Sequence, residues 1–215
     1  MPRTGARDWD PQVMIRLITP ERMSTYLDAC SGDIDDAFTL YRRNIDIASS
    51  IQAITAMVEV VSRNAIDRAL TGYVAHTGQV DDWFDLPVLD AKAQDDIRVA
   101  RQRVRRSGNR VDHPHLVAEL SFGFWRFLTT KRYLTTLWMP AIQHAFPHGD
   151  KDALKRQQQV AKALHGMTFI RNRAAHLEPV FRRDLAADFR RACLVMEWID
   201  PNARAWLEEN IQMTK

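Results

Sequence analysis

The sequence predicts an all-α protein, a helical bundle with additional peripheral helices, and three observations carry that expectation. Apolar residues recur at three- and four-residue spacing along most of the chain, capping and breaker residues punctuate those runs, and no stretch alternates apolar and polar residues as a half-buried strand would. No internal repeat or low-complexity tract interrupts the pattern.

Residues 1–18 mix Pro, Gly and both charges without a clear period, and are expected to form a flexible N-terminal arm ahead of a single helical domain over 19–215. Thr19 before Pro20 pairs a capping hydroxyl with a proline at the first helical position, which predicts a short helix to about Cys30. Ser31, Gly32 and Asp33 break it and cap the next. From 33 to about 76 there is no proline and only Gly72, while Ile51, Ile54, Val58, Val61 and Ala65 keep helical spacing, so one long helix, or two with a bend, is expected.

The stretch 77–87, with Trp83 and Phe84 among acidic residues, reads as an ordered loop, and 88–106 reads as helix ended by Ser107, Gly108 and Asn109. His113-Pro114 opens another helix. The aromatic density over 120–128 belongs in a core, and so do Trp83, Phe84 and Trp125, although each ring could also stack on a base. Further helices are expected at about 130–145, 150–176, 182–199 and 200–211, the last opened by Asp200-Pro201.

Composition narrows the function classes. The chain has 215 residues, 46% hydrophobic and 27% charged, which describes neither a disordered chain nor a membrane protein, and a core of useful size needs no disulfide or metal. Its 30 Lys and Arg residues are mostly Arg. Arg suits phosphate recognition, though a GC-rich genome also enriches it. Cys30 and Cys193 are too few for a disulfide framework and too far apart for a zinc motif. The opening MPRTGARDWDPQ lacks an apolar signal region and no apolar run approaches about 20 residues. A cytoplasmic protein without a membrane partner is therefore expected. His113, His115, His144 and His148 show no recognisable ligand spacing, so no metal or cofactor is expected, and P-loop, GxGxxG and GxSxG motifs are absent.

The segment 160–179 is the most informative. Val160, Leu164, Met167 and Ala174 share one helical face, and Arg171 falls within it. A cation there needs carboxylates, carbonyls or an anionic ligand; Glu59 or Asp67 could pair with it structurally. His176 lies about 140° further round the helix, across a surface of Thr168, Asn172 and Ala175, with His165 and Phe169 extending its side. Pro179 is expected to end the helix soon after His176, at a C-terminus where partial negative charge favours a cation.

The run Arg171-Asn-Arg-Ala-Ala-His-Leu-Glu-Pro-Val-Phe181 resembles the RNRxAHHEPIF signature of bacterial abortive-infection (Abi-like) proteins, members of the HEPN superfamily with its Arg-x4-6-His motif. Glu59-Val-Val-Ser-Arg-Asn-Ala-Ile66 is similar to the family's EVxxRNAI element, and Leu120-Ser-Phe-Gly-Phe-Trp125 to its LSFGFW element. The three blocks stand in the family's order, and the resemblance covers most of the chain from about Thr19. In one departure, the second histidine of the family's HH pair is Leu177 here, which removes an accessory donor or base.

The resemblance implies a HEPN-like bundle and a metal-independent endoribonuclease, in phage defence or as the toxin of a toxin and antitoxin pair, using the substrate's own 2′-hydroxyl as nucleophile. Imidazoles can move protons near neutral pH, the role implied for His176; Arg171 would stabilise phosphate charge, and Asn172 would orient His176 or hold the phosphate. Glu59, Arg63, Asn64, Arg173 and Glu178 would support the pair, although Glu59 and Arg63, one turn apart, could equally form a plain ion pair. Because a single histidine serves less well than an acid and base, the resemblance also implies a homodimer with motif helices facing across a two-fold axis. RNA is the expected partner, together with an antitoxin protein or RNA. Arg98, Arg101 and Arg105 share a face that would either attract phosphates or simply be solvated. The competing readings are a noncatalytic helical module binding RNA or protein, and a DNA-binding regulator, for which no helix-turn-helix is evident.

Overall fold

The computed structural model describes residues 8–211, and every regular element among them is helical. Helix α1 spans Pro11–Ile18, α2 Pro20–Ala29, α3 Ile34–Thr77, α4 Ala91–Arg106, α5 His113–Glu119, α6 Phe122–Leu128, α7 Ala153–Ala175, α8 Leu185–Ile199 and α9 Pro201–Asn210.

The chain forms two compact units, the first taking in Met1–Ile51 and Arg173–Arg183, the second Gln52–Asn172 and Asp184–Lys215. In the first, Met23, Tyr26 and Ala37 are fully buried, with Ile15, Ile18, Phe38, Tyr41 and Phe181 packed on them. Tyr26 meets Tyr41 edge-on at 5.1 Å and Phe181 at 5.4 Å. The expected aperiodic arm is corrected here: residues 11–18 are helical, capped by Asp10, whose carboxylate accepts from the Gln12 amide at 2.7 Å. Asp10-Pro11 is the same cap-plus-proline signal that opens α2 and α9. Residues 1–7 of the expected arm lie outside the described residues.

In the second unit the aromatic segment is core, as its density predicts. Phe122, Phe124 and Trp125 are at most 2% exposed, and Trp83 lies 5.6 Å from Trp125 and 6.3 Å from Phe124, ring centre to ring centre. Ile54, Val58, Ala65, Ile66 and Leu70 of α3 are buried. The expected helix at about 130–145 is replaced by 3-10 turns at Lys131–Tyr133 and Ile142–Ala145 around a π-turn at Leu134–Trp138. Pro140 has no amide to donate, and the Met139 amide reaches back five residues to Leu134. The wider turn accompanies burial of Leu137 and the adjacent Trp138, whose indole N–H donates to the Ala153 carbonyl at 3.0 Å.

By length and apolar content, α3 could cross a membrane, the one such helix among the described residues, with an 18-residue window of mean hydropathy 1.4 of which 33% is buried inside the protein. The core helix of a soluble protein passes the same measure.

A charged cluster ties α3, the 78–90 loop and α5 together. His113 Nδ1 is 2.8 Å from Asp82 and its Nε2 is 2.8 Å from Asp67, which also accepts from the Trp83 indole N–H at 2.8 Å. Burial works against charge on His113, but the hydrogen bonds to Asp82 and Asp67 outweigh it and hold the imidazolium pKa above its usual value. Its stabilisation is thus fully present below the unfolded histidine pKa of about 6.5 and is lost as pH rises through the higher folded value. Urea denaturation should show stability falling upward from about pH 6.5, and His113→Gln should flatten that slope. An unchanged slope in the variant would remove His113 as its source.

Candidate functional site

Helix α7 buries Val160, Ala163, Leu164, Met167, Ile170 and Ala174. The expectation that Arg171 sits inside this stripe is corrected, because the buried line passes through Ile170 to Ala174 and Arg171 is exposed at its margin. A long stem lets a guanidinium at such a margin reach water. Its Nη1 donates to Asn172 Oδ1 at 3.3 Å, so the structure brings these two predicted residues together.

Glu59, half-buried on α3, lies within electrostatic reach of Arg171. Burial raises the Glu59 pKa above the ordinary carboxylate value, opposed by Arg171, Arg63 and the Phe122 backbone N–H. The expected contact pair of Glu59 with Arg63 is replaced by a different bond: Arg63 Nη1 donates to the Ala118 carbonyl at 3.3 Å, while its Nε is buried without an acceptor. Asn64 follows, half-buried on the same helix.

His176 is exposed and caps α7, which ends at Ala175 as Pro179 leads one to expect. Leu177 adopts φ 50°, its amide donates to Ala174 at 3.0 Å, and the Glu178 amide donates to Arg173 at 2.9 Å. This is the paired-bond helix stop that glycine usually makes, here made by a leucine in the left-handed region. Arg173 and Glu178 also meet through their side chains, Nε to Oε2 at 3.3 Å, and Arg173 Nη2 donates to the Pro179 carbonyl at 3.2 Å.

Two residues that sequence reasoning missed hold this segment. Asn44, 1% exposed, accepts at Oδ1 from the amides of Val180 at 2.7 Å and Phe181 at 3.2 Å, and its Nδ2 donates to the Glu178 carbonyl at 3.2 Å. Arg22 Nη2 donates to the His176 carbonyl at 3.3 Å. The available signal for Asn44 was its place on the stripe of Ala37, Tyr41, Ala48 and Ile51, a polar side chain where an apolar one is expected.

The predicted basic face of α4 is largely answered by acids. Arg98 pairs with Asp95 at 2.5 Å and Arg101 with Asp85 at 3.1 Å, while Arg103 lies 3.6 Å from Glu119. Arg105 remains exposed. Asp85 and Glu119 are brought to this face only by the fold, and all three of these ion pairs are solvent-exposed. Among the described residues no group of three or more His, Cys, Asp or Glu side chains is placed to hold a metal ion.

Comparison with family models, with characterised proteins and with solved structures matches nothing.

Two outcomes follow from this geometry. Asn44→Ala removes three backbone partners from a buried position and should lower unfolding free energy in urea by about 3 kcal/mol; a loss below about 1 kcal/mol, the net value of a single hydrogen bond, would show that water replaces the amide. Glu59→Gln removes a carboxylate whose ionisation the fold disfavours, so melting temperature at pH 7 should hold or rise. A clear fall would mean that attraction to Arg171 and Arg63 outweighs burial.

Proposed function

We propose that the chain is a metal-independent endoribonuclease of the HEPN type, active in phage defence or as the toxin of a toxin and antitoxin pair. The observation that carries this reading is that Arg171, Asn172 and His176, which stand in the sequence pattern that resembles the Abi-like signature, are each exposed.

In the proposed reaction the RNA 2′-oxygen attacks the adjacent phosphorus while the bond from phosphorus to the 5′-oxygen breaks, leaving a 2′,3′-cyclic phosphate and a 5′-hydroxyl. One imidazole takes the 2′-hydroxyl proton and another delivers a proton to the leaving 5′-oxygen. Since each chain offers one histidine in this pattern, the second comes from a second copy, and the working species is a cytoplasmic homodimer with its motif helices facing. Arg171 binds the nonbridging oxygens and stabilises the charge that builds on them, with Asn172 fixing the guanidinium at its side. Glu59 helps position Arg171 through their electrostatic attraction. An antitoxin protein or RNA would act by covering this surface.

A noncatalytic RNA- or protein-binding module is the second reading, favoured by Leu177 in place of the signature's second histidine. Purified protein incubated with total RNA in EDTA separates the two. Cleavage giving cyclic phosphate ends should fall by about 10² or more in both Arg171→Ala and His176→Ala, with both variants still helical and dimeric. Equal activity in His176→Ala and the unaltered protein would sink the assignment, and binding without cleavage would leave the module.

A further inference from the structure

A second arginine and histidine, unused by the proposed chemistry, meet on the flank of α7. Arg126 of α6 places Nη1 3.4 Å from Nδ1 of His165 on α7, and the Nε of Arg126 is buried without an acceptor. An arginine only donates, so the ring nitrogen is the acceptor in this contact. A half-buried guanidinium answered by an imidazole, with no carboxylate bonded to it among the described residues, lacks the negative charge that ordinarily offsets its lost hydration. A phosphate would supply that charge, because the guanidinium fork matches its oxygens.

What lies beside this pair narrows the ligand. Phe169 stands four residues beyond His165, one turn along α7, and is 48% exposed; Asn172 follows three residues later. These side chains share one exposed face, with about 10 Å of helix rise from His165 to Asn172. An exposed ring one helical turn from a guanidinium and imidazole pair is a combination that can hold unpaired nucleic acid, with the base on the ring and the phosphate on the cation.

We propose that Arg126, His165 and Phe169 form a nucleotide subsite for single-stranded RNA, resting for its substrate on the ribonuclease reading. Arg126 and His165 hold one phosphate, Phe169 stacks the base of that nucleotide, and the strand continues along α7 toward Asn172 and Arg171. Duplex is excluded, because the ring needs a splayed base. Arg126 and Phe169 bind and position the strand and take no part in bond breaking.

A 2′-O-methylated hexaribonucleotide cannot be cleaved through its 2′-oxygens, so its binding tests the subsite apart from catalysis. Anisotropy titrations of the full chain in EDTA should show Arg126→Gln and Phe169→Ala each weakening binding about tenfold, with Phe169→Trp restoring affinity. Arg126→Gln should also reduce the slope of log affinity against log salt by about 0.7, whereas Arg126→Lys retains the slope. If Arg126→Gln loses its helical signal, Phe169→Ala and Phe169→Trp, altered at an exposed ring, carry the test. Unchanged affinity in Phe169→Ala, equal binding of duplex, or no binding by the unaltered chain overturns the subsite. Binding with the expected dependences but no cleavage of unmodified RNA keeps the subsite and removes the nuclease reading.

Discussion

The segment that follows α7 depends on one buried side-chain amide. Chain that leaves a helix and turns inward carries backbone donors and acceptors that water no longer reaches, and each must find a partner. Asn44 supplies three of them, at Glu178, Val180 and Phe181, from inside α3. With those bonds made, Val180 can be fully buried and Phe181 can lie against Tyr26. The left-handed Leu177 and the pairing of Arg173 with Glu178 complete the turn, and His176 is exposed where it begins. A side chain that looks misplaced on an apolar stripe is thus what lets the stripe coexist with buried irregular backbone.

Charge is handled in two contrasting ways. Around His113 each donor has an acceptor: two aspartates take the imidazole nitrogens, and one of them also takes the Trp83 indole. Such a cluster is self-sufficient and serves to join elements. Around Glu59 the balance differs, since burial raises the carboxyl pKa despite two neighbouring arginines, and Arg63 keeps a buried nitrogen without an acceptor. Perturbed groups of this kind occur at functional sites and in structural ion-pair networks alike. Arg126 likewise keeps a buried Nε without an acceptor, whereas Arg98 and Arg101 have carboxylates in place.

Much of the fold was legible because its determinants are local. Thr19, Asp112 and Asp200 cap the helices whose onsets their sequence neighbourhoods announce, and α3 runs unbroken where proline is absent. The segment 130–145 was not legible, since its apolar spacing suits a helix and only the packing of Trp138 and the missing amide of Pro140 favour the 3-10 and π turns. Helix α1 carried a readable cap at Asp10, but its short length and the mixed residues ahead of it hid the period.

For the site, the sequence by itself determined the helix that carries Arg171 and Asn172, the place where that helix stops, and the proximity of His176 to its end, because caps and prolines act within a turn of themselves. Tertiary structure decided which charges are already answered. The pairing of Arg101 with Asp85, the reach of Arg126 to His165 and the three-way bonding of Asn44 join residues between 16 and 137 positions apart. Long-range pairing of this kind leaves no periodic trace in a chain: its energy depends on distance and burial, which exist only once the helices have packed.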